Sequence, residues 1–418
     1  MLYRLKSRIC WINLKILLVT DSYPPEIRSA SHLMKELAQE LCDRRHDVTV
    51  LTCQPKYNLA DGKSFNNLDN VVQEEGVRVI RVHTPAHHKV NFFVRGLSQL
   101  VLPYLFWFKA KPLLKGKIDS VIVYSPPLTL WRVGLFAKNK FKAKFILNVQ
   151  DIFPQNAIDL GVLTNPLIIG FFERLEKAAY DNADVVTVHS EGNRDFLLKN
   201  GKVSDSKLIT LHNWINVTNY EFPEHDGPFR RKLGLAGKFV IFFGGVLGPS
   251  QGLDMVIEAA RQLVAHSEIV FLFVGDGTEK NRLMELASKY GLKNVMFHPF
   301  ISKEDYERTL REIDVGLVCL SSKNRTPVVP GKILSYMASG VPVLAFLNKQ
   351  SDGHQIVKDA NCGYSAISSD PAELVRLVQK IYEQREHLDD LGRNGYHYAV
   401  SNFSKESCVN ELEKALML

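Results

Sequence analysis

The chain has no run of the roughly 18 to 20 uninterrupted apolar residues that a bilayer-spanning helix needs, so no segment reads as a transmembrane span. Its six cysteines (Cys10, Cys42, Cys53, Cys319, Cys362, Cys408) lack CxxC spacing, and several fall inside strand-like or helical runs. That pattern disfavours disulfides and zinc and predicts buried, reduced thiols in a cytosolic protein. Thirteen histidines occur without an HExxH or comparable spacing, so no metal is expected. The first apolar run, LKILLVT, is too short for a signal-peptide core and ends at Asp21, so it reads as a strand. DSYPPE follows it without pyrophosphate-binding glycines, which disfavours an NAD oxidoreductase. Residues 1–14 read as a dispensable extension or as a basic, aromatic surface tag.

What is present fits an ordinary globular protein. At 418 residues the chain is long enough for two or three domains with their own cores. The net charge of +7 is mild, so its distribution matters more than its sum, and no nucleic-acid partner is expected. Apolar periodicity marks strands at residues 14–20, 48–52, 77–82, 120–124, 144–149, 185–189 and 208–211, with an amphipathic helix at 29–45. A second round opens at 239–243 and continues at 270–274, 295–297, 315–320 and 341–346. Helical stretches between most of these imply an α/β fold of two Rossmann-like, doubly wound parallel sheets, each covered on both faces. Polar, proline-bearing residues 213–228 read as a linker. The expected units are 1–218, 219–400 and a helical tail, 401–418, that packs back on the first domain.

The interval 89–117 stands apart. It holds Phe92, Phe93, Tyr104, Phe106, Trp107 and Phe108 with six basic residues (Lys89, Arg95, Lys109, Lys111, Lys115, Lys117) and no acidic one. Aromatic and apolar residues flanked by cations suit a helix lying in a membrane interface, and each cation near an anionic surface is worth about 1 kcal/mol. A core helix with a solvated basic edge is the alternative, and Pro103 argues against one continuous helix.

Three glycine-bearing turns fall on one edge of the second sheet. The strand at 239–243 runs into Gly244, Gly245, Gly248 and Gln251, and the next ends in Gly275, Asp276 and Gly277. After the fourth strand, Pro330, Gly331 and Lys332 open an apolar-periodic helix. Glycines let backbone approach a ligand at the carboxyl edge of an open α/β sheet. A helix N-terminus with a lysine offers N–H groups, dipole and charge to a phosphate, so this corner reads as a nucleotide-diphosphate clamp; an ordinary helix-strand corner with a surface lysine is the alternative. Arg325 is placed to pair with a phosphate beside Lys332, and Ser335 and Tyr336 to reach a ribose. In the first domain Arg28 and Ser29 begin the long helix facing the cleft, while Gln150 and Asp151 follow the strand at 144–149. Asp151 is the candidate to orient a hydroxyl or accept its proton; a helix-capping or loop-stabilising role is the alternative.

Across nearly its whole length the chain resembles the GT-B glycosyltransferases, specifically the large retaining family 4. The resemblance rests on YPP with the long helix and RRHDVTVLT, on VHSEGNRDFL followed by LHNWIN, on FVGDG and on YMASGVPVL. The finer pattern of QDIFPQ, NWIN, SQGLD and PGKILSYMASG resembles the branch that builds bacterial O-antigen and capsule units, N-acetyl-L-fucosamine transferases included. This implies a C-terminal domain binding a UDP-sugar, an N-terminal domain binding a polyprenyl-diphosphate-linked acceptor, and retention by front-face attack. It implies a cytoplasmic enzyme at the inner, anionic face of the plasma membrane, without cofactor. Lys332 and Arg325 would neutralise the departing diphosphate. Many family members carry two glutamates where this chain has Pro327 and Ser335, and a lysine where it has Gln251. Gln150 replaces a common histidine, and Arg28 and Ser29 replace paired glycines. These departures shift the burden to Lys332, Arg325 and backbone N–H groups, and they keep open a non-catalytic nucleotide-binding partner subunit. A two-Rossmann sugar-nucleotide epimerase shares the architecture, but its facing acidic and histidine residues are not found by spacing.

Overall fold

The structure is a computed structural model that describes residues 13–26, 28–56, 69–85, 92–215, 224 and 227–417, with side chains of 92–95 and 303–304 excepted. Most of the N-terminal extension and residues 89–91 of the basic aromatic interval therefore lie outside the described residues.

Two sheets organise the chain. The first has strands β1 (Lys15–Val19), β2 (Asp47–Cys53), β3 (Val71–Glu74), β4 (Val77–Val82), β5 (Ser120–Ser125), β6 (Lys144–Val149), β7 (Val185–Val188) and β8 (Leu208–Thr210), in the order β3-β4-β2-β1-β5-β6-β7-β8. The second has β9 (Phe239–Val246), β10 (Ile269–Asp276), β11 (Val295–His298), β12 (Val315–Cys319), β13 (Val343–Leu347) and β14 (Gly363–Ile367), in the order β11-β10-β9-β12-β13-β14. All neighbours are parallel except β3, which runs antiparallel to β4. The expected pair of doubly wound sheets is present.

The apolar runs form central strands because both faces of each sheet are covered. Along β1, Leu17 and Val19 join one core while Ile16 and Leu18 join the other. Along β9, Phe239, Ile241 and Phe243 face one way and Val240 and Phe242 the other. A strand with no polar face has nowhere to sit but between two helical layers.

Three details differ from expectation. Strands β3 and β14 were not expected. β3 folds back through Glu75 and Gly76, both at positive φ, a two-residue hairpin turn without the usual Asn-Gly signal. Pro103 does not break its helix: Phe92–Ala110 is continuous. Burial of Leu102, Phe106 and Ala110 in the first core offsets the lost backbone bond.

The chain crosses between the domains at two adjacent points, where Ile215 N–H bonds Phe403 O at 3.0 Å. Beyond the second crossing, the helix Lys405–Met417 buries Cys408, Val409, Leu412 and Leu416 against the first sheet and the helix Ser29–Asp43. Arg44 pairs with Glu413 at 2.6 Å, and His46 meets the same carboxylate at 3.0 Å.

Candidate active site

On the second sheet the corner expected to clamp a diphosphate is built around Lys332. Pro330 precedes the helix Gly331–Ala338 without contributing a side-chain cap, and Ile333 N–H turns back to Pro330 O at 3.0 Å. A Cβ on Gly331 would meet no protein atom within 4 Å, so the space before the helix is open. The Lys332 ammonium lies 4.8 Å from the centre of the Phe243 ring. A Cβ on Gly245 would stand 3.0 Å from Lys332 Cε and 3.2 Å from Nζ. Burial pushes the Lys332 amine down to about 8, because no carboxylate compensates the desolvated charge. The residue as a whole keeps some contact with water.

The neighbouring turns explain their own glycines. Gly275 and Gly277 have φ of +152° and +158°, and a Cβ on either would collide with the carbonyl oxygen of Gly245 or Leu247. Close approach of β9 and β10 thus requires those glycines before any ligand is considered. At Gly244 a Cβ would enter the Tyr306 ring, while at Gly248 it would find room, 3.6 Å from Val246. The Gln251 amide donates to Ser250 Oγ at 3.2 Å, and Asp276 accepts the Gly277 N–H at 2.9 Å. Ser250 O receives the Ser321 N–H at 2.8 Å, joining the glycine turn to the loop after β12.

That loop carries Arg325, which is exposed and makes no ion pair among the described residues. Its backbone N–H donates to Asp159 of the first domain at 2.9 Å, so it stands where the domains meet. Ser335 Oγ turns back to Gly331 O at 3.4 Å. Tyr336 does not reach the cleft: it is fully buried, and its hydroxyl donates to Phe242 O at 3.2 Å. It packs where Gly316 leaves room for the ring, a use that helical spacing could not reveal.

Along the carboxyl edge of the first sheet lie Asp21, Arg28, Tyr124, Gln150, Asp151 and His189. Arg28 Nη1 donates to the buried Asp21 at 3.3 Å, and the helix Ser29–Asp43 begins just after it without a side-chain cap; Ser29 is exposed. Gln150 donates to Asn148 at 2.8 Å and accepts from Asn213 at 2.7 Å, so its amide is held from both ends. Asp151 stands at an accessible position, yet surrounding protein pushes its carboxyl above the usual carboxylate range. His189 is buried beside Asn193, and burial holds its imidazole down at about 4, hence neutral.

A second contact closes the domains: Asp352 accepts the Gly192 N–H at 2.7 Å, at the start of the helix Glu191–Lys199. A carboxylate suits that end of the helix dipole. Asp159, Asp352 and Tyr124 were not singled out from the sequence; an aromatic residue ending a strand just before SPP was the available signal for the last. Among the described residues, no three His, Cys, Asp or Glu side chains gather as a metal would require, and no helix is long and apolar enough to cross a membrane.

Comparison with known proteins agrees with this architecture. Residues 30–214 match the "Glycosyl transferase 4-like domain" and residues 227–398 "Glycosyl transferases group 1". The chain is 28% identical over 309 residues to the probable glycosyltransferase WbjE of Pseudomonas aeruginosa, covering 72% of this chain and 74% of the relative. It is 25% identical over 337 residues to the putative colanic acid biosynthesis glycosyl transferase WcaI of Escherichia coli K12, covering 78% and 82%. Among solved structures, sucrose-phosphate synthase from Thermosynechococcus elongatus superposes with a TM-score of 0.77 at 17% identity, covering 96% and 98%. Anabaena HepE in complex with UDP-glucose gives 0.70 at 18% identity, covering 97% and 100%. The two sheets thus share the GT-B fold with those structures, and with the two family models together spanning most of the chain, this protein belongs to the glycosyltransferases, a 4-like domain followed by a group 1 domain.

Proposed function

We propose that the protein moves a sugar from a UDP-sugar to a polyprenyl-diphosphate-linked saccharide, with retention of configuration, in assembly of a bacterial O-antigen or capsule. The carrying observation is Lys332: a desolvated amine at a helix start on the carboxyl edge of the second sheet. A bound diphosphate would restore the charge that burial disfavours. In the transfer, the bond between the sugar's anomeric carbon and the β-phosphate oxygen breaks as the acceptor oxygen bonds to that carbon. The acceptor proton leaves for the departing diphosphate or for Asp151, and Lys332 with Arg325 stabilises the charge that develops. Such a donor is often worth about 3 to 4 kcal/mol.

HepE, whose structure holds UDP-glucose, supports a UDP-sugar donor, and WcaI, named for colanic acid biosynthesis, supports a role in polysaccharide assembly. An N-acetylated hexosamine or deoxyhexosamine such as N-acetyl-L-fucosamine is the sugar we favour. Glycines 244, 245, 248, 275 and 277, with Gln251, Asp276, Pro330, Gly331 and Ser335, would line the donor subsite, and Arg28, Ser29 and Gln150 the acceptor subsite. No cofactor or metal enters this scheme.

A membrane-borne acceptor is supported by the helix Phe92–Ala110. Leu97, Val101, Tyr104 and Phe108 form an exposed stripe along it, with Leu97 67% and Phe108 74% accessible. Lys109, Lys111 and Lys115 follow. The helix Pro166–Asn182, which meets the same 3-10 turn at Leu128–Leu130, adds exposed Leu167 and Phe171. Trp107 instead packs on Phe136, 5.5 Å between ring centres, so Phe108 is the outward aromatic. Such a surface suits reversible docking on the anionic inner face of the plasma membrane.

The absence of both family glutamates, at Pro327 and Ser335, favours a second reading, a nucleotide-binding partner without transferase activity. Incubation with UDP- and dTDP-sugars and polyprenyl-diphosphate acceptors, with mass-spectrometric product detection, decides. Transfer establishes the main reading, UDP binding without transfer the second, and neither would sink both.

A further inference from the structure

Tyr124 is the penultimate residue of β5, which lies between β1 and β6, near the carboxyl edge of the first sheet. Its ring belongs to the core that holds Tyr23, Ala30 and Ile122, and the residue is only 7% accessible. Among the described residues its hydroxyl has no hydrogen-bond partner, unlike those of Tyr336, which donates to Phe242 O, and Tyr180, which donates to Glu176. The ring is buried but the oxygen is not among the partnerless side-chain atoms closed off from water, so water or a ligand can reach it. The charged groups acting on it are Asp151, Asp21 and Arg28, which are the cleft-facing residues of the adjoining loops.

These charges decide what can sit there. Asp21 is already paired with Arg28 at 3.3 Å, which leaves the carboxyl of Asp151, two residues beyond Val149, the β6 partner of Ser125, without an ion pair among the described residues on this edge. A phosphate would face that carboxylate at close quarters and be repelled. A sugar hydroxyl both donates and accepts, so it can give its proton to Asp151 and receive one from the tyrosine. Burial and the nearby carboxylates keep the Tyr124 hydroxyl protonated at any physiological pH, so it serves as a fixed donor.

Resting on the acceptor reading of the first domain, we infer that Tyr124 and Asp151 together hold a hydroxyl of the acceptor saccharide, Tyr124 as hydrogen-bond donor and Asp151 as acceptor. Tyr124 is then a positioning residue that selects the sugar of the acceptor rather than its diphosphate. Arg28, fixed by Asp21, bounds the same subsite.

The test is calorimetric titration of farnesyl-diphospho-N-acetylglucosamine into the full chain with saturating UDP, comparing wild type with Tyr124→Phe. The phenylalanine keeps the packed ring and removes only the hydroxyl. We expect affinity for the saccharide probe to fall about tenfold, with UDP affinity, thermal midpoint and affinity for bare farnesyl diphosphate unchanged. Equal binding of the saccharide probe by both proteins overturns the inference and leaves the proposed function standing. An equal loss of affinity for farnesyl diphosphate overturns it in favour of phosphate recognition. No saccharide binding by wild type that still binds UDP overturns the acceptor reading and this inference with it.

Discussion

Replacing Lys332 by methionine should weaken function and strengthen the empty protein, and the two effects have one cause. The amine is held down at about 8 from an ordinary 10.5, a difference of about 3 kcal/mol between charged and neutral forms if taken in full. Since water still reaches part of the residue, about 1 to 2 kcal/mol is the figure to expect after screening. With its folded pKa below the unfolded value, the lysine burdens folding fully below about pH 8, and the burden disappears as pH rises through 10.5. Lys332→Met keeps the stem over Phe243 and removes the charge, so the unliganded thermal midpoint at pH 7 should rise by a few degrees. The gain should shrink toward pH 10. Turnover with the UDP-sugar should fall at least tenfold, and toward the 100- to 1000-fold typical of a lost charge-stabilising donor. In wild type, UDP affinity measured by calorimetry should decline above pH 8, by up to tenfold per pH unit, as the lysine loses its proton. In the methionine variant that dependence should vanish. Turnover within twofold of wild type, or a lowered midpoint in the unliganded variant, would refute the phosphate role and make Lys332 a structural residue.

Other residues make sharper claims on the fold and the membrane. Gly275→Ala forces a Cβ into the Gly245 carbonyl and should cost more than about 3 kcal/mol; an unmoved denaturation midpoint would contradict the β9–β10 geometry. Asp352→Ala removes the carboxylate that accepts the Gly192 N–H across the domains, and small-angle scattering should show a larger radius of gyration, whereas an unchanged radius would mean other contacts hold the domains together. Leu97→Ser with Phe108→Ser removes the exposed stripe without touching the buried face, so the variant should stay folded yet leave anionic vesicles in a sedimentation assay. Retention on the vesicles would dispose of that docking surface.

The two sheets were legible from the sequence because their central strands have no polar face. β4 and β6 fall at the expected residues, and most other strands differ by one to three positions at their ends. β3 and β14 escaped notice because edge strands are short and half-exposed, so they lack the continuous apolar run that marks a buried one. The PGK corner was equally readable, since glycine, lysine and an apolar-periodic helix are local features. Tyr336 was misjudged for the opposite reason: helical spacing places a residue on a face but does not say what packs against that face, and here Gly316 opens room for the ring.

By itself, then, the sequence determined the alternation of strand and helix, the presence of two parallel sheets and the lysine-bearing loop, all consequences of period, burial and backbone chemistry over a few residues. Only the tertiary structure decided which glycines serve the protein's own backbone, that Lys332 is desolvated against Phe243, that Asp159 and Asp352 bridge the domains, and that Tyr124 and Asp151 come from neighbouring strands of one sheet. Each of these depends on residues brought together from distant parts of the chain, and desolvation, close approach and charge pairing exist only once that packing has formed.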